Sequence, residues 1–326
     1  MRDVITIGSA TRDVFLLSNH FQLIASRKFD AGMGECVPLG AKIDVERKVE
    51  STGGGATNAA VTFARLGFGA AAVCRVGDDD AGRGVAAELA REGVRTALLR
   101  RVRGGETGYS TLLTAEGGER SVLVYRGVSA RFTAADIPWD RLHARAAYLT
   151  SLGGNVRLSA RLVRACAHEG ALVAWNPGRG EIAAGLRAFK PALPFASVLL
   201  VNREEAAALT GAREPRDAFG ALVRAGFAGA AVVTDGGKGA TAFFRDRAWF
   251  CGTTGARSVS RTGAGDAFGS GLVAALLKGL ALPQALAVGT LNAEGVIGKV
   301  GAKAGILKRW PGRAALARVP VKPFIL

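Results

Sequence analysis

The sequence predicts an α/β domain built on a mainly parallel β-sheet that is covered by helices. Two observations support this prediction. Short apolar runs, typical of buried strands, alternate with Ala-rich helical runs along almost the whole chain. Most of the helical runs also end at a glycine, as helix C-termini commonly do. No repeat, low-complexity linker or break in composition divides the 326 residues, so we expect a single domain over residues 1–326.

The predicted elements follow one another in the order that such a sheet requires. The strand segments are DVITIG (3–8), AAAVCRVG (70–77), AAYLTSL (146–152), ALVAWNPG (171–178), SVLLVN (197–202) and GAAVVTDGG (229–237). The helical segments are ATNAAVTFARLG (56–67), AGRGVAAELAREG (81–93), RLSARLVRACAHEG (157–170), REEAAALTG (203–211) and AGDAFGSGLVAALLKG (264–279).

Two segments depart from this alternation. Residues 14–50 hold an irregular stretch followed by KIDVERKVE (42–50), whose alternating apolar and charged residues predict a half-exposed strand. Residues 106–126 predict a hairpin whose strands are joined through EGGE (116–119). Together, segments of roughly 14–52 and 106–126 predict a small sheet that acts as a lid and excludes water from a cleft.

The stretch STGGGATNAAVTFARLG (51–67) places three glycines before a helix, at the edge of the predicted lid. It lacks the GKS or GKT of a P-loop, and position 58 is Asn where a dinucleotide fingerprint needs glycine. Two interpretations remain open from these residues alone. The loop either closes its backbone on a polar ligand or is a glycine-rich turn that caps a helix.

The strongest single motif is TGAGD (262–266), which opens the last predicted helix. Backbone N–H groups of Gly263, Ala264 and Gly265 can converge there on one point, and the helix N-terminus adds partial positive charge. The motif therefore predicts an anion hole. Asp266 stands where it can accept a proton from a hydroxyl that attacks a bound phosphoryl group, although an Asp N-cap in a glycine turn is the simpler alternative.

Composition excludes several classes of function. The formal net charge is +16, but the basic residues are mostly Arg and are scattered, so we expect no nucleic-acid partner. The four cysteines are far apart and form no CxxC pair, which argues against a zinc site or a disulfide framework. There is no long apolar run and no signal-peptide pattern, so we expect no membrane segment and a cytoplasmic location.

The pairing of GGxxxNxA near the N-terminus with TGAGD near the C-terminus resembles the ribokinase-like, PfkB-type carbohydrate kinase family. The resemblance covers nearly the whole chain, from IGSATRD to GAKAGIL. It implies a three-layer αβα sandwich with a β lid. It also implies transfer of the ATP γ-phosphate to a hydroxymethyl group of a sugar or sugar-like alcohol, with Mg²⁺ as cofactor.

The resemblance assigns roles residue by residue. Asp266 is the base, and the backbone of Gly263, Ala264 and Gly265 stabilises the transferring charge. The sugar pocket is expected to contain Asp13, Gly54, Gly55 and Asn58, so that the triple glycine clasps a polyol. On the nucleotide side, Asn202 and Glu205 of the NxxE pair are expected to organise Mg²⁺ through water, with Thr234, Gly236 and Gly239 beside the nucleotide and Asn292 in the adenine pocket.

The substrate stays open within the family. A sugar is the main expectation, a nucleoside is the first alternative, and a keto-sugar acid is another because a Tyr-Arg pair in similar context meets the carboxylate. Arg126 would supply that contact here, although a surface arginine is an equal alternative. A sugar- or nucleotide-binding regulator without catalysis is the rival from another class. We also expect two copies to form a homodimer through the lid.

One residue departs from the family pattern. Relatives commonly have an Asp ahead of the Thr of TGAGD that helps to hold a potassium ion, whereas Arg261 precedes Thr262 here. A guanidinium cannot bind a cation. The departure predicts an activity that does not depend on potassium.

Overall fold

The computed structural model describes residues 2–29, 32–115 and 120–325. The EGGE turn predicted at 116–119 lies outside these residues. Within them, no helix is both long enough and apolar enough to cross a lipid bilayer.

The chain forms the following strands, numbered in chain order. They are β1 (Arg2–Ile7), β2 (Thr11–Leu17), β3 (Gln22–Ala25), β4 (Met33–Cys36), β5 (Arg47–Gly53), β6 (Ala70–Val73), β7 (Arg75–Gly77), β8 (Arg100–Val102), β9 (Gly108–Thr114), β10 (Arg120–Tyr125), β11 (Ala144–Leu149), β12 (Leu172–Trp175), β13 (Val198–Asn202), β14 (Ala230–Thr234), β15 (Ala240–Phe244), β16 (Arg247–Cys251) and β17 (Val321–Ile325).

The α-helices are distributed between these strands. They are α1 (Gly55–Arg65), α2 (Asp80–Arg91), α3 (Val156–His168), α4 (Arg179–Ala183), α5 (Leu186–Phe189), α6 (Arg203–Thr210), α7 (Pro215–Arg224), α8 (Ala264–Leu277), α9 (Leu282–Ile297) and α10 (Arg313–Ala317). Every predicted strand and helix segment contains an observed element of the predicted type. The predicted segments did not include α4, α5, α7, α9 or α10, or the antiparallel edge strands β15 to β17.

In the described residues, the main sheet has nine strands in the order β17-β16-β15-β14-β13-β12-β11-β1-β6. The strands from β14 to β6 pair in parallel, and β15, β16 and β17 add an antiparallel edge. Side chains alternate between the two faces. Ile5 and Ile7 pack with α3, α6 and α7, whereas Val4 packs with α1, α8 and α9. The chain is therefore a three-layer αβα sandwich, as predicted.

A separate small sheet has the strand order β10-β9-β2-β5. Its β2 strand pairs in parallel with β9 and antiparallel with β5. The predicted strand at 42–50 is wrong in its bounds, since β5 runs from Arg47 to Gly53. Between β2 and β5, strands β3 and β4 form a hairpin that the sequence did not predict.

The junction between the small sheet and the main body is short. Strand β5 ends at Gly53 and helix α1 begins at Gly55, so Gly54 alone separates them. Gly54 has a φ of 94°, and a Cβ built there would lie 2.4 Å from the Ser9 carbonyl oxygen. Only glycine fits this backbone path. The fold thus brings the small sheet directly onto the first turn of α1.

Candidate active site

Asp13 lies on β2, at the end of the small sheet that meets the main body. Its side chain is buried, with 5% of its surface exposed. The Thr11 hydroxyl donates to its Oδ1 atom over 2.8 Å. A Cβ built at Gly53 would lie 1.9 Å from Asp13 Oδ2, so the carboxylate rests directly on the glycine backbone. The sequence prediction named Gly54 and Gly55 but missed Gly53, which is the glycine that makes room for Asp13.

Asn58 connects the first turn of α1 to the base predicted in α8. Its Nδ2 atom donates to Asp266 Oδ2 over 2.8 Å, although the two residues are 208 positions apart. Asn58 is 3% exposed, yet its Oδ1 atom has no hydrogen-bond partner in the part of the chain that the structure describes. A buried acceptor without a partner costs free energy unless a ligand satisfies it.

The TGAGD motif forms a tight turn at the start of α8. Gly263 is in the left-handed region with φ 82°, and α8 begins at Ala264. The Ala264 N–H donates weakly to the Arg261 carbonyl oxygen over 3.3 Å. Within the described residues, the N–H groups of Gly265 and Asp266 make no backbone hydrogen bond, as is usual in a first helical turn, so they are free to bind an anion. We call Gly263 to Asp266 the anion turn.

A cavity of about 200 Å³ lies in front of the anion turn. It is bordered by the carboxyl ends of three adjacent parallel strands. These ends carry Asn176 after β12, Asn202 on β13 and Thr234 on β14, and Asn202 lies opposite Thr234 in the strand register. Glu205, Gly263, Gly265 and Asp266 also border this cavity. The fold therefore brings together six residues from three motifs that the sequence predicted separately.

Asn176 was not predicted. Its Nδ2 atom donates to the Leu200 carbonyl oxygen over 2.9 Å, which orients the amide at the cavity wall. A signal was present, because Asn176 follows a buried strand as Asn202 and Thr234 do. Ligands of parallel sheets commonly bind beyond the carboxyl ends of the strands.

The NxxE pair has a structural role as well as a place in the site. Asn202 Oδ1 accepts from the Glu205 N–H over 2.8 Å, and Glu205 Oε2 accepts from the Asn202 N–H over 2.9 Å. This reciprocal capping box starts α6. Both residues still border the cavity, so one pair of side chains fixes the helix and presents oxygen atoms to the site.

The pKa values of the three carboxyl groups of the site are all raised. Burial raises the pKa of Asp266, while the Asn58 hydrogen bond and the charge of Lys303 oppose the rise. Burial also raises the pKa of Asp13, which Thr11 and Lys303 partly offset. The pKa of Glu205 is raised by burial too. Elevated carboxyl pKa values are typical of groups that must accept a proton during a reaction.

Asn292 is not among the residues that border the cavity. It is completely buried in α9, where its Nδ2 atom donates to the Ala267 carbonyl oxygen over 2.7 Å and to Thr62 Oγ1 over 3.2 Å. Its Oδ1 atom accepts from the Leu307 N–H over 2.9 Å. Because both the Nδ2 and Oδ1 atoms of the amide are engaged inside the protein, the Asn292 side chain offers no free polar group to a nucleotide here, and its assignment to an adenine pocket stays a prediction.

Four other predicted residues lie away from the cavity. Gly236 and Gly239 form the turn between β14 and β15, where a Cβ at Gly239 would lie 2.1 Å from the Cys251 carbonyl oxygen. They are not among the residues that border the cavity. Arg126 follows β10 and is exposed, as is Arg261 just before the anion turn. The potassium expectation attached to Arg261 stays a prediction.

The groups available for a divalent cation are oxygen atoms of Glu205, Asp266 and the amides at the cavity wall. Across residues 2–29, 32–115 and 120–325, no three or more His, Cys, Asp or Glu side chains gather as a metal site would require. Mg²⁺ prefers oxygen ligands and keeps several of its waters, binding through one or two carboxylates and substrate phosphates. The residues present fit that mode of binding.

A second cavity, of about 410 Å³, lies under the far end of the small sheet. It is bordered by Phe15 and Leu17 of β2, by Arg47 of β5 and by residues 257–260. None of the residues predicted for the active site borders it. At about 3.3 Å per residue, Leu17 is about 13 Å along the strand from Asp13.

Comparison with known proteins agrees with this geometry. The model of the family described as pfkB family carbohydrate kinase matches residues 2–309. A sugar kinase of Archaeoglobus fulgidus is 28% identical over 250 residues, which cover 75% of this chain and 97% of the relative. An ATP-dependent ribose-1-phosphate kinase of Halopiger xanaduensis is 32% identical over 256 residues, with coverage of 75% and 81%.

Solved structures show the same fold. The structure of Arabidopsis thaliana ribokinase complexed with ribose and ATP superposes with a TM-score of 0.76 at 20% identity, and covers 97% of this chain and 98% of that one. The adenosine kinase of Sinorhizobium meliloti superposes with a TM-score of 0.75 at 23% identity, with coverage of 93% and 95%.

Proposed function

The chain belongs to the pfkB family of carbohydrate kinases, and we propose that it transfers the γ-phosphoryl group of ATP to a hydroxymethyl group of a sugar. Asn58 carries this proposal. It is buried, its amide nitrogen holds Asp266, and its amide oxygen has no partner. One sugar hydroxyl bound there would donate to the oxygen, and a neighbouring hydroxyl of the same sugar would lie next to the carboxylate that accepts its proton.

The acceptor side of the site is built by the small sheet and α1. Asp13 can accept hydrogen bonds from two neighbouring hydroxyls, and Asn58 can accept one more. The small sheet acts as a lid in this proposal, because Asp13 lies on its inner face at the junction with the body. Closing it over a sugar would exclude water, which otherwise competes as the phosphoryl acceptor.

The donor side is built by the anion turn. Its free amides and the N-terminus of α8 attract the negative charge that develops on the transferring phosphoryl oxygens. Asp266 then accepts the proton of the attacking hydroxyl, and the phosphoryl group passes in line from the leaving diphosphate to the sugar oxygen. The raised pKa of Asp266 brings its basicity closer to that required for this proton transfer.

Glu205 and Asn202, which both border the cavity, would hold Mg²⁺ there through water. When bound, the ion neutralises charge on the phosphates. The capping box keeps Glu205 oriented toward the cavity whether or not the ion is present.

The names of the relatives support a sugar as the substrate class. The Archaeoglobus protein is named an uncharacterized sugar kinase, and the Halopiger protein is named an ATP-dependent ribose-1-phosphate kinase. A nucleoside or a keto-sugar acid are the alternatives on the same fold. The acid would use Arg126, which is exposed at the end of β10 near the junction.

The test is ADP formation by the purified protein with ATP and Mg²⁺ over a panel of ribose, fructose, ribose 1-phosphate, keto-sugar acids and nucleosides. We expect turnover with a sugar or sugar phosphate, and product identity established by ³¹P NMR. Asp266→Asn, assayed on the same panel, is the control for background ATP hydrolysis. If wild type and variant give equal rates with every compound, the proposed function is wrong.

We also propose that two copies pair through the small sheet. Its edge strand β10 exposes four consecutive apolar or aromatic residues, Val122 to Tyr125. Their exposed fractions lie between 44% and 61%. An exposed apolar edge strand commonly pairs with another chain. Pairing would give the outer backbone edge of β10 a partner chain and stiffen the sheet that carries Asp13.

A further inference from the structure

Lys303 is a buried charged residue that no part of the proposed reaction uses. It lies in the segment GAKAG (301–305), which follows α9 and which we call the backing loop. Only 3% of its surface is exposed. Its Nζ atom donates to the Thr52 carbonyl oxygen over 2.5 Å and to Thr52 Oγ1 over 2.8 Å. A lysine is almost never buried without a specific partner.

The backing loop is firmly attached to the main body. Arg65 of α1 donates to the Lys303 carbonyl oxygen over 2.8 Å and to the Ile306 carbonyl oxygen over 3.1 Å. Asn292 holds the next residue, Leu307. The loop also packs against the anion turn, since a Cβ at Gly263 would lie 2.6 Å from the Ala302 Cβ atom. The loop therefore supports the anion turn from behind.

The other end of the Lys303 side chain reaches the small sheet. Thr52 is completely buried at the end of β5, one residue before the Gly53 on which the Asp13 carboxylate rests. The Thr52 N–H donates to Glu88 Oε2 over 3.1 Å, so an acidic group holds the same residue from the other side. Within the described residues, the side chain of Lys303 is the polar link from the backing loop to this junction.

We propose that Lys303 is a positioning residue for phosphoryl transfer, whose buried ammonium group ties the junction of the small sheet at Thr52 to the loop that supports the anion turn. This inference rests on the proposed function. The tie fixes the distance between two halves of the site that come from distant parts of the chain, namely Asp13 with Gly53 and the anion turn with Asp266. Phosphoryl transfer depends on such positioning, and a displacement of about 1 Å can cost about 10²-fold in rate.

The surroundings of the Lys303 ammonium group shift its pKa into a range where the loss of its proton can be measured. Burial lowers the pKa of Lys303 to about 8, and nearby acidic groups oppose the effect. Titratable or charged groups face Lys303 from each element packed against it. They are Asp13 on β2, Arg65 on α1, Cys74 after β6, Glu88 and Glu92 of the α2 region, and Asp266 on α8. Above pH 8 the ammonium loses its proton, so the charge-assisted bonds to Thr52 weaken and the rate should fall.

The experiment compares Lys303→Met, Lys303→Arg and Lys308→Met in the full chain. Lys308 is exposed in the same part of the chain, so its variant controls for the loss of a positive charge. We expect Lys303→Met to lower kcat/KM for the sugar about 10²-fold and to change the KM for ATP less than threefold. Lys308→Met should match wild type.

The pH profile separates positioning from a merely structural role. In wild type we expect kcat/KM for the sugar to fall above about pH 8. Lys303→Arg should extend the plateau beyond that pH because arginine stays charged, and Lys303→Met should lack this limb. A limb near pH 8 that persists in Lys303→Met would overturn the proposal, as would a wild-type kcat/KM in that variant.

Hydrogen exchange keeps the proposal testable without turnover. The amides of residues 51–55 should exchange faster in Lys303→Met than in wild type, with α3 as an internal reference. Thr52→Val, which removes one acceptor and keeps the shape, should show the same change to a smaller extent, and Thr52→Ser should not. Unchanged exchange in both Lys303→Met and Thr52→Val would overturn the tie. If exchange is faster in these variants but the wild-type protein phosphorylates no compound, the tie stands and the proposed function is refuted instead.

Discussion

The two sheets of this protein differ in how many of their side chains are buried. The main sheet buries both faces, and strands such as β6 are buried at every position. The small sheet buries mainly its inner face and exposes β10. The main sheet supplies rigidity and, at its carboxyl ends, borders the cavity that we propose receives phosphate. The small sheet contributes little core and instead supplies Asp13. The comparison indicates that the two sheets divide stability and acceptor recognition between them. Mutations in the main sheet should therefore lower stability, and mutations in the small sheet should weaken binding of the acceptor.

The largest effect is expected where the two regions meet, at Asp266. Asp266→Asn keeps the size of the side chain but removes the proton acceptor, so kcat should fall about 10²-fold or more. Binding of sugar and ATP, measured by calorimetry, should change little. In wild type, kcat should rise with pH as Asp266 loses its proton, with a midpoint above the ordinary value of 3.8. A variant with near-normal turnover would exclude Asp266 as the base.

A core substitution in the main sheet should affect stability and leave chemistry intact. Phe243 on β15 is 1% exposed and stacks on Phe219 at a centroid distance of 5.2 Å. Phe243→Ala should lower the free energy of unfolding by about 3–5 kcal/mol. Urea titration measures the loss, and kcat below the unfolding temperature should stay within about twofold of wild type. Lost turnover at unchanged stability would break the separation between the two regions.

Substitutions at the acceptor side should produce the reverse pattern. Asn58→Ala and Asp13→Ala each remove a buried hydrogen bond to the sugar, which costs about 1–3 kcal/mol of sugar binding. ATP affinity should change far less, because the nucleotide side is built by the ends of β13 and β14. Calorimetry with each ligand separately tests the split. Equal losses for both ligands would mean that the two halves of the site do not divide as described.

The smallest effect on the isolated chain is expected at the outer strand. Leu123→Ser replaces an exposed residue, so the free energy of unfolding of a monomer should change by about 0.5 kcal/mol or less. If β10 forms the dimer contact, sedimentation should show a concentration-dependent loss of dimer in the variant. Arg224→Ser, on the exposed surface of α7, serves as the control. An unchanged dimer in Leu123→Ser would place the contact elsewhere.

The parallel part of the main sheet could be predicted from sequence because each of its strands contains a short run of buried apolar residues. The small sheet could be predicted only in outline. Strand β2 pairs with β9, about a hundred residues away, and nothing local specifies that register. The predicted bounds of β5 were wrong because apolar and charged residues already alternate in residues 42–46, although these residues form no strand.

The site divides in the same way. The anion turn and the capping box of Asn202 and Glu205 are local motifs, so their residues could be predicted together. Asn292 could not be placed, because the direction of its side chain depends on how α9 packs against α1 and α8. Lys303 was missed although one signal was present, since a single lysine stands among Gly and Ala directly after an apolar helix. Its partner, Thr52, is 251 residues away.

The close approach of Asp13 to Gly53 has a practical consequence for changing the substrate of this enzyme. A side chain at 53 would occupy the space of the carboxylate, so a mutant library should keep that position fixed. The two residues opposite Asp13 in the strand register, Ser51 on β5 and Ser110 on β9, are small and flank it on either side. Randomising these two serines would reshape the surroundings of the carboxylate, and variants at 110 would also lose the hydrogen bond that Ser110 makes to Asp13. They are the positions at which selection for a new acceptor should begin.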